Sequence, residues 1–144
     1  MLACEDVGAC EEDVRAQVID DRVVLSIGDG DRRIRIEAEL ADETAERERG
    51  WRYRRCDREG LWLVPDVPGE LAVWGCGLTA PIDVAFVADG EIIDVFDGLE
   101  PCGEDGGACG DCSLVGEGLV VDGVLEVPEG TAEFVVGDAV VELE

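Results

Sequence analysis

The stretch Ala80-Pro81-Ile82-Asp83-Val84-Ala85-Phe86-Val87-Ala88-Asp89-Gly90-Glu91-Ile92-Ile93-Asp94-Val95-Phe96 decides how this chain folds. Residues 82–87 and 91–96 are mostly apolar, the composition of paired strands. Between them Ala88-Asp89-Gly90 carries the Asp-Gly chemistry of a tight turn, because both residues tolerate positive φ. The reading is a β-hairpin. The charged residue inside the first run, Asp83, stands out. A lone carboxylate in an apolar strand is most simply an acceptor for backbone N–H groups or for an arginine.

Outward from the hairpin the same signals repeat. Residues 23–27 form a short strand, and Gly28-Asp29-Gly30-Asp31 a turn. Residues 32–40 then alternate, with Ile34, Ile36 and Ala38 on one face and Arg33, Arg35, Glu37 and Glu39 on the other. Residues 42–49 are the one convincing helix. Asp42 is its expected cap, acids crowd its first turn, and Gly50 ends it. Residues 61–64 and 71–74 are further strands, separated by Pro-Asp-Val-Pro-Gly-Glu. Downstream, 98–118 is a loop rich in Gly and Cys, 119–127 is strand with a turn at Asp122-Gly123, and 138–143 is the last strand. Many short strands and one helix predict a mainly β fold, a compact β-barrel or sandwich with one short helix. The 144 residues fit one domain. The expected division is an acidic N-terminal extension over 1–20 and a single mainly-β domain over 21–144.

Five segments, in order, resemble a known family. The hairpin matches a motif Pro-(Leu/Ile)-Asp-(Ile/Val)-x-Phe, then Asp-Gly and a second apolar strand. Upstream, a helix runs into Gly50-Trp51-Arg52-Tyr53-Arg54, where the family has Gly-Leu-Met-x-Arg. Downstream come Pro101-Cys102 with Cys109, then Val124-Leu125-Glu126-Val127-Pro128-Glu129-Gly130-Thr131, then Val136-Gly137-Asp138-Ala139-Val140. Over residues 32–141 the chain thus resembles uncharacterised protein family 0127, also called domain of unknown function 192, in a halophilic archaeal type. The resemblance implies a compact, mainly β domain and brings no established activity. It marks Arg54 as the family's arginine and Cys102 and Cys109 as its cysteine pair. That pair implies a disulfide in exported members, with Cys112 left over. One stretch departs: Trp74-Gly75-Cys76-Gly77-Leu78-Thr79 lacks the polar Lys, Asn or His that the family has before its Pro-x-Asp.

Composition narrows the chemistry. The chain has 36 Asp and Glu against 11 Lys and Arg, a net charge of −25, and no His. All of the basic residues are Arg. A Ser-His-Asp triad, a Cys-His dyad, a histidine metal ligand and a lysine Schiff base are therefore excluded. Such a charge repels phosphate backbones, so nucleic acid is an unfavourable partner. With 47% hydrophobic residues the chain has the apolar content to fold. High charge on a folding sequence fits a high-salt interior, where molar salt shortens the Debye length to ~3 Å. No apolar run approaches the ~18 residues of a membrane span. The first residues carry no basic and apolar leader pattern, so the expected setting is cytoplasmic, with thiols reduced.

Three constellations are candidate sites. The sharpest is Cys102-x6-Cys109-x2-Cys112 in a loop of Gly and acids. A Cys-x2-Cys step presents two thiolates to one tetrahedral metal, Cys102 is a third ligand, and Cys76, Cys4 or Cys10 a fourth. Soft thiolates suit zinc or copper. A disulfide or redox pair, and inert packed thiols, are the open alternatives. The second is the run 47–58, with six Arg interleaved with Trp51 and Tyr53, read mainly as a solvated surface paired to nearby acids. Within it Arg54 is singled out as an internal ion pair or as one wall of a pocket near Asp83, the third candidate. The expected function is a small β-rich binding or accessory domain, with an unknown small ligand or protein partner and a zinc or copper site in the 102–112 loop. The alternatives are a thiol redox protein, or an enzyme using a pocket near Asp83 and Arg54. On balance the residues speak against an enzyme.

Overall fold

The computed structural model describes residues 13–56, 59–103 and 109–143. Among these residues seven strands form one sheet: β1 (Arg22–Asp29), β2 (Arg32–Ala41), β3 (Leu61–Leu63), β4 (Ile82–Ala88), β5 (Glu91–Leu99), β6 (Gly123–Pro128) and β7 (Ala139–Leu143). One short helix, α1 (Thr44–Arg49), follows β2, and a 3-10 turn, Cys109–Asp111, lies between β5 and β6. The strand order β1-β2-β3-β6-β4-β5-β7 closes on itself through β7 and β1. Its thinnest seam is β5 with β7, paired at Glu91 and Ala139. The mainly β reading with one short helix holds.

Local sequence explains most of these elements. Asp89 and Gly90 both adopt positive φ, 53° and 78°, so the β4–β5 turn is left-handed at both central residues, as a tight hairpin requires. Helix α1 begins one residue later than the Asp42 cap predicts. Glu43 caps it in a reciprocal box, because Glu46 reaches back to the Glu43 backbone N–H at 3.2 Å. Gly50, at φ 50°, ends it. Two strands expected from the sequence are corrected. Residues 71–74 form no strand: among the described residues Val73 makes a single bridge, to Val115. The strand expected from 119 starts at Gly123, since Val121 bridges outward to Gly69.

Side chains alternate across the sheet. Ile82, Val84, Phe86, Val124, Leu61 and Leu63 face one apolar cluster, which Trp51, Val73, Leu78 and Val121 cover from outside the strands. Ala85, Val87, Leu125, Val127 and Trp62 face a second, with Leu25, Ile27, Ile36 and Ile92. Strands β3, β4 and β6 are therefore buried on both faces, and each of their large side chains contributes roughly 1.5–3 kcal/mol by burial. The segment before β1 joins the first cluster through Ile19, while Gln17 donates to the carbonyls of Glu46 and Gly50 at 2.8 and 3.0 Å. That contact fixes the end of α1 against the sheet.

Candidate functional site

Three charged side chains are buried beside the end of α1. Arg54 is 2% exposed, Glu39 on β2 is 2% and Glu126 on β6 is 4%. Arg54 Nη2 donates to Glu39 Oε1 at 2.8 Å and to the Gln17 carbonyl at 3.3 Å. Its guanidinium lies 4.7 Å from the Trp51 ring centre, a stacked cation. Glu39 Oε1 also accepts the Ile19 N–H at 3.0 Å. A buried charge persists only when paired, and Arg54 with Glu39 meets that condition.

Glu126 is differently placed. Burial pushes its carboxyl up to about 7, and the Arg54 charge and the Trp51 backbone N–H only partly oppose the shift. Its Oε1 is buried without a hydrogen-bond partner among the described residues. Glu126 lines a cleft of about 610 Å³ between the end of α1 and the 71–74 segment. Leu71, Ala72, Val73, Trp74, Leu78 and Leu114 make its apolar wall. Thr44, Arg47, Glu48, Arg49 and Arg52 stand around it on the other side, with Gly50 and Trp51 between. Arg47 is committed to the Val64 carbonyl at 2.9 Å, whereas the buried Nε of Arg52 has no hydrogen-bond partner among the described residues. Gly50 sits against this carboxyl: a Cβ built there would lie in ordinary contact with Glu126 Oε1, at 3.5 Å, so it is the positive φ that calls for glycine. A mostly apolar cleft with a few polar groups and one shifted carboxyl is the usual form of a small-molecule site.

The structure does not join Asp83 and Arg54 in one pocket, and this expectation is corrected. Asp83 pairs with Val127 across β4 and β6, and Glu126 with Val84. Alternation therefore sends Asp83 to the face opposite Glu126 and Arg54. There Asp83 accepts the Gly98 N–H at 2.7 Å and the Gly130 N–H at 3.0 Å, tying β5 and the end of β6 to β4. Arg54, for its part, is the internal ion pair.

The match to a known family spans most of this architecture. The profile of the DUF192 family, described as uncharacterized, matches residues 25–141. The chain belongs to the DUF192 family. No protein of curated function matches it. A candidate transcription regulator from Sinorhizobium meliloti 1021 superposes with a TM-score of 0.74 at 22% identity, covering 88% of this chain and 98% of that one. A protein of unknown function from Novosphingobium aromaticivorans DSM 12444 gives 0.70 at 22% identity, over 88% of this chain and 90% of that one. At that identity these neighbours show the fold.

In this DUF192 domain the four cysteines expected as ligands do converge, but as two disulfides. Cys76 bonds Cys109 with Cα atoms 5.4 Å apart, and Cys102 bonds Cys112 with Cα atoms 5.7 Å apart. Both separations are ordinary for the bond. Cys76 and Cys102 are bridge partners, so the two bonds lie side by side. The expected zinc or copper site is corrected for this state, because a bonded sulfur is no thiolate ligand. Among the described residues no group of three or more His, Cys, Asp or Glu is set to hold a metal. The Cys102–Cys109 pairing implied by the family is also replaced, since Cys109 reaches back to the 74–78 turn. Cys56 is disulfide-bonded as well. Cys4 and Cys10, named as alternative ligands, and the acids Glu104 and Asp105 lie outside the described residues. No helix among them is long and apolar enough to cross a membrane.

Sequence reasoning passed over Glu126. Its signal was available: a lone acid in the apolar run Val124-Leu125-Glu126-Val127, the same cue that singled out Asp83. Glu39 was assigned to the charged outer face of its strand. It is on that face, but Arg54 and the residue 17–19 segment cover it.

Proposed function

We propose that this domain is a small-ligand binding module and that its site is the cleft over Glu126. The observation that carries the reading is a buried carboxyl, with one oxygen unpartnered among the described residues, lining a cleft that has an apolar wall on one side. The regulator description of the Sinorhizobium neighbour is not carried over, because a net charge of −25 opposes a polyanion. The test uses anilinonaphthalene sulfonate as a fluorescent probe of the folded protein, beside Ala72→Trp, which fills the cleft. Saturable probe fluorescence that Ala72→Trp abolishes while the fold is retained is the expected result. No saturable binding, or binding that ignores Ala72→Trp, overturns it.

The convergence of the cysteines favours a second reading, for the reduced chain. With both bonds opened, Cys76, Cys102, Cys109 and Cys112 become the thiolate set for one zinc or copper ion. Native mass spectrometry of reduced protein with one equivalent of zinc tests it. A one-ion mass gain lost in Cys102→Ser supports this reading, and an unchanged mass removes it. As they stand, the disulfides favour an oxidising setting over the cytoplasm.

A further inference from the structure

Resting on the cleft reading, we propose that the ligand is an organic carboxylate. Its apolar body lies on Leu71, Trp74, Leu78 and Leu114, and its carboxylate lies between the Arg52 guanidinium and the Glu126 carboxyl. Two buried polar atoms of residues lining this cleft have no hydrogen-bond partner among the described residues, Arg52 Nε and Glu126 Oε1. Arg52 offers a donor. Glu126 also offers one when its oxygen carries a proton, which burial favours. A carboxylate has two oxygens and accepts from both. The apolar wall suits a hydrocarbon or aromatic body and holds no charge to pair with a second ionic group.

Every charged group facing the carboxyl bears on the sign. Arg54 sits behind Glu126 and is itself paired to Glu39. Arg47, Arg49, Arg52 and the single acid Glu48 line the cleft from the helix side, and the 71–78 wall and Leu114 add none. The surroundings are net cationic on a strongly acidic protein, which favours an anion over an amine. A phosphate dianion would bring a second charge against Glu48 and against Glu126 once ionised. A carboxylate and Glu126 instead share one proton, as paired carboxyls do.

The experiment titrates octanoate, octanol and octylamine into the intact protein at about pH 6 and about pH 8.5, in molar KCl. It follows amide and side-chain shifts by NMR, for the natural chain and for Glu126→Gln. Octanoate is expected to bind tightest at the lower pH and to weaken by about 30-fold at the higher, as Glu126 ionises. Glu126→Gln keeps an amide donor and is expected to flatten that change to less than about threefold. Octanol or octylamine binding as well as octanoate, or octanoate binding equally at both pH values, overturns the carboxylate proposal and leaves the cleft reading standing. None of the three binding overturns both.

Discussion

Glu126 is the residue on which chemistry and stability meet. Its carboxyl is raised to about 7 in the fold, against the ordinary 4.5, first by burial. The unfolded chain ionises it near 4.5 and the folded protein only near 7. The stability it lends is complete below about pH 4.5, falls as pH rises towards 7, and is flat above. The loss is about 3 kcal/mol, and Glu126→Gln is expected to remove that slope from urea unfolding measured across this window. An unchanged slope would show that Glu126 ionises normally. Asp83 is a structural acceptor. Asp83→Ala leaves the Gly98 and Gly130 N–H groups without their acceptor and is expected to cost about 2–4 kcal/mol in the same assay. A loss near zero would mean water replaces it. The role of Asp83 was legible because it interrupts an apolar run. Its supposed partnership with Arg54 was not. That needed the register of β4 on β6, which puts Val84 opposite Glu126 and sends Asp83 to the other face. Sequence spacing does not carry such register.

At the scale of elements, the two cleft walls are built differently. One is α1 and the turn after it, locked by the Glu43–Glu46 box and by Gln17. The other, residues 71–78, has no strand pairing and is held by the Val73–Val115 bridge and the disulfides. Chain-closure entropy over separations of 33 and 10 residues makes Cys76–Cys109 worth about 3–4 kcal/mol and Cys102–Cys112 about 2–3. The paired variant Cys76→Ser with Cys109→Ser is therefore expected to melt lower than Cys102→Ser with Cys112→Ser. It is also expected to exchange the Val73 and Val115 amides faster. Equal melting and unchanged exchange would show that the bonds do not hold the wall. The hairpins were legible because Asp-Gly turns and apolar runs are local signals. The wall at 71–74 was not: its four apolar residues look like a strand, and only tertiary pairing, among the described residues a single bridge from Val73 to Val115, decides otherwise. The convergence of the cysteines was anticipated from Cys-x2-Cys spacing, but spacing alone does not distinguish thiolates around a metal from bonded pairs.

For the whole molecule, closure of a seven-stranded sheet buries β3, β4 and β6 on both faces and leaves most of the acids outside, with Glu39, Asp83, Glu126 and Asp138 as buried exceptions. At −25 the folded surface repels itself, and molar salt screens that repulsion within ~3 Å. The melting temperature is expected to fall on transfer from molar KCl to dilute buffer, where the repulsion is less screened. An unchanged value would assign the acidity to something other than salt adaptation. Against this acidic surface the arginines of the α1 end mark the cleft over Glu126. Amide chemical-shift mapping with anilinonaphthalene sulfonate tests that placement most directly. Saturable shifts gathered on residues 44–52, 71–78, 114 and 126 are the predicted result. Shifts that fail to saturate, or that gather elsewhere on the sheet, would contradict it.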